Sequence, residues 1–176
     1  MTKTLLPLIQ KSQLIIIHGP AKSGKSSLLT KLADHYQEPI FTGQALTELP
    51  TTGNIYLDDF DLALWALPNP HPEQNQKTKR QWTNFCKLAR QRKQKIFLVT
   101  GCLDKLWIET KKLADLFLEI QGINNEKQVL SCQAKTKKET FELLIKIDPK
   151  DLPKPDDDWD LGTPQCQLDE ECESCQ

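Results

Sequence analysis

Apolar residues in the first hundred positions come in short runs, each ending in small or polar residues. Three of these runs are nearly continuous: Leu14–Ile17, Ile55–Leu57 and Ile96–Val99. Runs of this length are typical of strands buried on both faces of a parallel sheet. After the first run, apolar residues recur at helical spacing, at Leu28, Leu29, Leu32 and Tyr36. The pattern therefore predicts strands and helices in alternation, the order of a three-layer α/β fold.

Polar segments connect these runs. A short strand is expected at 39–43 and a helical turn at 44–49, whereas the proline-rich stretch 68–80 predicts a loop. A helix with Trp82, Phe85 and Ala89 on one face should follow. The spacing of Trp82 favours a core position, and the alternative is a platform on which a nucleic-acid base stacks.

The pattern changes to period two near the end of this region. Apolar and polar residues alternate over 114–120, 127–134 and 141–147, with Gly122 and Asn124-Asn125 marking the first turn. These segments predict three strands, antiparallel to one another, that extend the sheet.

The first strand leads into a phosphate-binding motif. Residues 19–26 read G-x-x-x-x-G-K-S and lie between a predicted strand and a predicted helix, which is the context that the motif requires. Glycines let the backbone approach a phosphate chain closely, Lys25 can reach the β- and γ-phosphates, and the Ser26 hydroxyl can bind Mg²⁺. The predicted nucleotide-binding residues are Gly19, Pro20, Ala21, Lys22, Ser23, Gly24, Lys25, Ser26 and Ser27. The expected ligands are ATP and Mg²⁺.

Polar residues also end the other two buried strands. Asp58 is a candidate Mg²⁺ ligand, because a hard cation prefers oxygen donors. Asp59 could polarise the attacking water or could simply cap a helix. Thr100 is a candidate sensor of the γ-phosphate, and the alternative is a threonine that only ends its strand.

Charge is divided unequally along the chain. The whole sequence has 23 Lys and Arg against 24 Asp and Glu, but residues 148–176 hold ten of the acids and two lysines, a balance of −8. Residues 1–147 therefore carry +7. This division predicts one folded domain over 1–147 and an acidic, disordered tail over 148–176. The basic residues Lys77, Lys79 and Arg80 are candidates for contacting DNA, and we expect the tail to compete for them.

The tail contains two further candidate features. Cys166, Cys172 and Cys175 could bind zinc, although reduced and disordered thiols are the better expectation for an incomplete ligand set. Trp159 lies among aspartates and could anchor a protein partner; the alternative is a purely solvating tail. The sequence has no apolar stretch long enough for a membrane span and no secretory signature, so a cytoplasmic protein is expected, with its cysteines at 86, 102 and 132 packed in the core.

Taken in order, the phosphate loop, Tyr56-Leu-Asp-Asp59, Phe97-Leu-Val-Thr100, the Ala114-Asp115 strand and a hairpin ending at Lys137 resemble the RecA-like ATPase core. That core is shared by RecA, KaiC and the replicative helicases, and the resemblance covers roughly residues 13–147. It implies that Lys135 and Lys137 act as fingers on the nucleotide of a neighbouring subunit. It also implies that the loops at 68–81 and 101–112 contact nucleic acid.

Three functions are compatible with these features. The first is an oligomeric Mg-ATP-dependent ATPase that acts on DNA. The segment before the Asp58 strand is shorter than in the RecA-like group and lacks the glutamate that serves there as catalytic base, which keeps a second function open. This alternative is a nucleotide-gated adaptor that hydrolyses ATP weakly and recruits a partner through its acidic tail. A small-molecule kinase fits least, because no arginine-rich lid is evident.

Overall fold

A computed structural model describes residues 5–42, 46–58, 72–101, 103–124 and 126–146. Its helices and strands, in chain order, are α1 (Leu5–Lys11), β1 (Leu14–His18), α2 (Lys25–Tyr36), β2 (Ile40–Thr42), β3 (Ile55–Asp58), α3 (Pro72–Gln91), β4 (Ile96–Thr100), α4 (Ile108–Leu113), β5 (Leu116–Asn124), β6 (Val129–Thr136) and β7 (Thr140–Lys146). Short 3-10 helices cover Leu46–Glu48 and Leu103–Lys105. The predicted domain boundary near 147, the tail and Asp59 lie outside the described residues.

The strands form one seven-stranded sheet in the order β2-β3-β4-β1-β5-β6-β7. The first five strands of this order are parallel, and β6 and β7 continue the sheet in antiparallel fashion. The predicted three-layer α/β class, with a mostly parallel sheet and an antiparallel C-terminal extension, is confirmed.

Helices cover the two faces of the sheet. On one face, α1 and α2 pack against apolar residues that reach from β3 to β7, including Ile17, Leu118, Leu130 and Ile145. On the other face, α3 and α4 pack against β1, β3 and β4. Because β1 and β4 are buried on both faces, their continuous apolar runs are explained.

The core position predicted for Trp82 is confirmed, since its side chain is fully buried and its Nε1 donates a hydrogen bond of 2.9 Å to the Thr110 hydroxyl of α4. The predicted burial of Cys86 and Cys132 is also confirmed, and both are free thiols. Desolvation raises the pKa of each to about 12, so neither is a reactive thiolate near neutral pH.

An ion pair fixes the start of β5 against β1. Asp115 accepts hydrogen bonds from the backbone N–H groups of Gln13 and Leu14, at 3.0 and 3.1 Å, and pairs with Arg90 of α3 at 2.9 Å. One carboxylate therefore joins the first strand, the fifth strand and a helix from the middle of the chain.

Three local predictions were wrong. Residues 72–80 belong to α3 and not to a loop, because proline is compatible with the first turn of a helix and the glutamine, lysine and arginine residues after it favour helix. Most of the segment 101–112 is helical as well. Gly122 lies inside β5 at a shift of the β5–β6 register, and the turn comes after Asn124. The short helix α1 was not predicted.

No helix among the described residues is long and apolar enough to cross a membrane.

Candidate nucleotide-binding site

The phosphate-binding motif forms the connection between β1 and α2, as predicted. Gly19 and Gly24 both have positive φ angles, +147° and +96°, and Gly24 directly precedes the first residue of α2. Lys22 also takes a left-handed conformation, with φ at 57°. Since glycine adopts such angles without the steric cost that a side chain brings, the two glycines explain how the backbone turns so sharply here.

Close packing is a second reason for both glycines. A Cβ atom on Gly19 would lie 2.3 Å from the carbonyl oxygen of Ile120 in β5. One on Gly24 would lie 2.6 Å from a methyl carbon of Ile123, also in β5. The loop is therefore seated directly on β5. A side chain at position 19 would collide with the β5 backbone, whereas one at position 24 would meet the flexible ends of Ile123 and Leu130.

The loop encloses a small cavity of about 140 Å³ lined by Lys22, Ser23, Gly24, Lys25, Ser26 and Ser27. The amino-terminal end of α2 begins at this cavity, and the first N–H groups of a helix have no partner inside that helix. Those donors and the positive end of the helix dipole favour a bound anion. All six residues that line the cavity belong to the nine predicted to bind nucleotide, and their role in binding stays a prediction.

Two side chains of the loop have informative positions. The Lys25 ammonium group donates a hydrogen bond of 2.7 Å to the carbonyl oxygen of Pro20, so it arches over the loop. Ser23 is only 4% exposed, and its hydroxyl has no hydrogen-bond partner among the described residues. A buried hydroxyl without a partner is costly, and a phosphate oxygen in the loop is a chemically suitable acceptor for it.

The structure brings Ser26 and Asp58 together, although they are 32 positions apart in the sequence. The Ser26 hydroxyl donates a hydrogen bond of 3.2 Å to the Asp58 carboxylate. Asp58 ends β3, and Ser26 lies in the first turn of α2. A hydroxyl and a carboxylate oxygen side by side are donors that fit Mg²⁺, which prefers oxygen ligands and retains several waters.

Thr100 lies at the same edge of the sheet. It ends β4, which runs between β1 and β3, and it is opposite His18 in the parallel register. Its side chain is fully buried. The carboxyl ends of β1, β3 and β4 thus place the loop, Thr100 and Asp58 along one edge, as expected for parallel strands.

The sequence reasoning missed His18, the last residue of β1. Burial lowers the pKa of His18 below its ordinary value, nearby Glu119 acts in the opposite direction, and Lys25 adds to the lowering. The His18 ring contacts the Phe117 ring edge-on, with centroids 6.5 Å apart. The available signal was its position directly before Gly19.

His18 opens onto a second, larger cavity, which we call the His18 cleft. Its volume is about 270 Å³, and its lining residues are His18, Leu103, Lys111, Phe117, Glu119, Gln133 and Lys135. The cleft lies on the face of the sheet that carries α3 and α4, whereas α2 lies on the other face.

The two predicted finger residues lie in different surroundings. Lys135 is opposite Phe117 in the β5–β6 register and lines the His18 cleft. Lys137 lies in the turn between β6 and β7, which the Thr136 hydroxyl closes by accepting hydrogen bonds from the N–H groups of Lys138 and Glu139. This turn is next to the first residue of β5, whereas the loop lies near the carboxyl ends of the parallel strands. The two are therefore at opposite ends of the strands. The trans role of both lysines stays a prediction.

The basic residues predicted to contact DNA lie on α3. Lys77 and Arg80 are exposed, and Lys79 is half-buried. The Lys79 ammonium group lies 3.7 Å from the Glu109 carboxylate and 5.8 Å from the centre of the Trp107 ring. Lys79 is thus engaged in packing α3 against α4, and Lys77 and Arg80 are better placed for a partner.

The described residues contain no group of three or more His, Cys, Asp or Glu side chains that could hold a metal ion. Cys166, Cys172 and Cys175, for which reduced thiols were expected above rather than a zinc site, and Trp159 lie outside the described residues.

No protein-family model matches the chain, and no curated protein matches it. Among solved structures, it is similar to the N-terminal domain of zonular occludens toxin from Neisseria meningitidis, at 15% identity and a TM-score of 0.49, over 80% of this chain and 96% of that one. It is also similar to the genome packaging NTPase B204 from Sulfolobus turreted icosahedral virus 2, solved with ATP-gammaS and with AMPPCP. Both B204 structures are 13% identical to this chain, with TM-scores of 0.41 and 0.40. Each match covers 77% of this chain and 98% of the B204 chain.

Proposed function

We propose that this chain binds ATP and Mg²⁺ in the loop formed by residues 19–27 and that it is a RecA-like, cytoplasmic ATPase. The observation that carries the proposal is the meeting of the loop with Asp58 at one edge of the sheet, through the Ser26–Asp58 hydrogen bond. A glycine-rich loop alone can occur by chance. A loop whose serine touches the carboxylate at the end of a second parallel strand has the donors that a metal-bound nucleotide needs.

Each residue of the site has a distinct proposed role. Lys25 and the amino-terminal end of α2 offset the phosphate charge, and Ser26 and Asp58 hold the metal and its waters. Bound Mg²⁺ would neutralise charge that develops on the phosphates during transfer. Thr100 contacts the γ-phosphate, and Asp59 orients the attacking water.

We further propose that the protein self-associates and acts on DNA. The basic balance of residues 1–147 and the exposed Lys77 and Arg80 of α3 support a polyanionic partner. Lys135 and Lys137 would contact the nucleotide of a neighbouring subunit in the assembly. Self-association and DNA binding go beyond nucleotide binding. Either of them can be wrong while nucleotide binding still holds.

The second candidate function is a nucleotide-gated adaptor with weak hydrolysis and a partner bound by the acidic tail. The specific observation in its favour is the short connection between α2 and β3. Its described residues include one strand of three residues and one 3-10 turn, so little structure is present there to carry a catalytic base.

Binding of ATP to the full-length protein can be tested by calorimetric titration with and without Mg²⁺. Lys25→Ala should lower affinity at least about 100-fold, equivalent to roughly 2.7 kcal/mol. Lys31→Ala, on the same helix but outside the loop cavity, is the matched control and should have no effect. Equal affinities for the two variants would refute the nucleotide site.

Turnover of Mg-ATP with and without single-stranded DNA, measured together with particle mass in each nucleotide state, separates the two candidate functions. The ATPase predicts turnover that DNA stimulates and an assembly that nucleotide stabilises. Tight binding with negligible turnover under all conditions would favour the adaptor.

A further inference from the structure

One part of the sheet surface has no helix over it among the described residues. Strands β6 and β7 are covered by α1 and α2 on one face only, since the core beneath α3 and α4 includes no residue of either strand, and Phe117 is the one β5 residue among those packed against that core. The uncovered face carries cross-strand rows such as Glu119, Gln133 and Glu142. Leu144, on the same face, is 64% exposed. We call this surface the open face.

The His18 cleft lies where the open face meets α4 and the Leu103–Lys105 turn. Its floor is partly apolar, because Phe117 and Leu103 pack against the core on this side of the sheet. A volume of about 270 Å³ is below the roughly 300–1,000 Å³ that is usual for small-molecule sites. The cleft therefore suits one large apolar or aromatic side chain better than a whole cofactor.

The charge around the cleft favours an acidic ligand. Lys111 of α4 and Lys135 of β6 both line it, against a single carboxylate from Glu119. Another polar group of the lining, the Gln133 amide, already donates a hydrogen bond of 2.8 Å to Glu142. An aromatic group with carboxylates on either side would match both the floor and the two lysines.

We propose that the His18 cleft binds residues 155–161 of this chain's own tail, with Trp159 inserted against Phe117 and the flanking aspartates paired with Lys111 and Lys135. The segment reads Pro-Asp-Asp-Asp-Trp-Asp-Leu, so it combines one large aromatic anchor with four carboxylates. The chain has one other tryptophan outside the described residues, Trp65, but its neighbours on both sides are apolar, whereas Asp158 and Asp160 directly flank Trp159. Charge complementarity therefore selects the tail.

The chain leaves the described domain near enough for this docking. Lys146 ends β7 and pairs with Val129, so it lies at the same end of the sheet as the last residues of β5. From the strand spacing and the rise per residue, Lys146 is about 14 Å from Gln133 and about 17 Å from Glu119. Residues 147–158 can span up to about 40 Å when extended, which is ample, and their tethering gives a high effective concentration.

Carbodiimide cross-linking of the full-length protein tests the proposal, because this reagent joins amines to carboxylates that are in direct contact. We expect cross-links from Lys111 or Lys135 to the aspartates at 156–160. An equal mixture of unlabelled protein and protein labelled with heavy nitrogen should give products within a single isotope only. Mixed-isotope products would show that a second copy supplies the tail, and the proposal as stated would be wrong.

Substitutions distinguish docking of the tail in the His18 cleft from a nonspecific attraction between the acidic tail and surface lysines. Trp159→Ala should lower the cross-link yield about tenfold, as expected for loss of an interface anchor, whereas Trp65→Ala should leave it unchanged. Lys111→Glu with Lys135→Glu should abolish it, and adding Asp156→Lys, Asp157→Lys and Asp158→Lys should restore cross-links with the charges exchanged. Lys137→Glu with Lys138→Glu, in the turn away from the cleft, is the matched control and should have no effect.

Cross-links that spread evenly over the surface lysines, or a yield that Trp159→Ala does not change, would overturn the proposal. The measurement is made without nucleotide, so its outcome does not depend on whether the loop binds ATP.

Discussion

The two faces of the sheet differ in how completely they are covered. The face beneath α1 and α2 has a continuous apolar core from β3 to β7. The face beneath α3 and α4 is apolar over β1, β3 and β4 and becomes polar over β5 to β7, where the His18 cleft and the open face are found. The same three strands thus have a buried side and a side with exposed charged groups.

We therefore expect the two faces of the sheet to have different roles, one in stability and one in contacts with other molecules. The covered face provides most of the apolar burial of the C-terminal strands and also supports the loop at residues 19–27, since Gly19 and Gly24 pack against Ile120 and Ile123 of β5. The partly covered face presents lysines and carboxylates that are free to meet other molecules. Stability should therefore be most sensitive to substitutions on the first face, and partner binding to substitutions on the second.

The largest difference is expected between two leucines on neighbouring strands. Leu130 of β6 is fully buried on the covered face, and Leu144 of β7 is 64% exposed on the open face. Leu130→Ala should lower the free energy of unfolding by about 2–5 kcal/mol, because it leaves a cavity in a packed core. Leu144→Ala should change it by no more than about 0.5 kcal/mol. Urea denaturation measures both, and similar losses would show that the open face is covered in solution.

Asp58→Asn tests the site at the carboxyl ends of the parallel strands, which is bordered by both faces of the sheet. The amide keeps the size of the side chain but removes the negative charge, so the Mg²⁺ concentration needed for half-maximal ATP binding should rise about tenfold. Some nucleotide affinity should persist without metal, because Lys25 and the loop are intact. Asp34→Asn, on α2 outside the loop cavity, is the control. An unchanged metal dependence would mean that another carboxylate holds the ion.

The fingers predicted at Lys135 and Lys137 provide a sharper test of the open face. If both contact a neighbouring nucleotide, Lys135→Ala and Lys137→Ala should each lower ATP turnover by roughly tenfold without weakening nucleotide binding. If only the lysine that lines the His18 cleft matters, Lys135→Ala should lower ATP turnover and Lys137→Ala should leave it unchanged. Mixing a finger-deficient subunit with a Lys25→Ala subunit should restore activity at shared interfaces. Mixed assemblies that form but stay inactive would contradict the trans role.

The smallest effect is expected for the basic residues of α3. Lys77→Ala with Arg80→Ala should reduce the slope of log affinity for single-stranded DNA against log salt by about 1–2, because each phosphate contact releases counterions. Lys31→Ala, on the helix that packs against the covered face, should leave the slope unchanged. Equal slopes for all three proteins would remove α3 as a DNA-binding surface.

Local sequence was sufficient to predict three buried strands of the parallel sheet and the loop that follows the first of them. Continuous apolar runs identify β1, β3 and β4, and the glycine spacing with Lys25 and Ser26 identifies the phosphate-binding loop, since both signals depend on neighbouring residues only. Helix α3 shows where such reasoning fails. Pro72 and the polar residues after it suggested a loop, but the same residues are compatible with the first turns of a helix that packs on the sheet.

The sequence by itself determined the α/β class, the position of the phosphate-binding motif between β1 and α2, and the candidate acid Asp58. Only the tertiary structure decided that Asp58 contacts Ser26, that His18 and Lys135 line one cleft, and that Lys137 lies at the far edge of the sheet. The physical reason is that strand order and register bring together residues distant in sequence. Periodicity shows that a segment is a strand, but not which strand lies beside it or which of its faces is left without a helix.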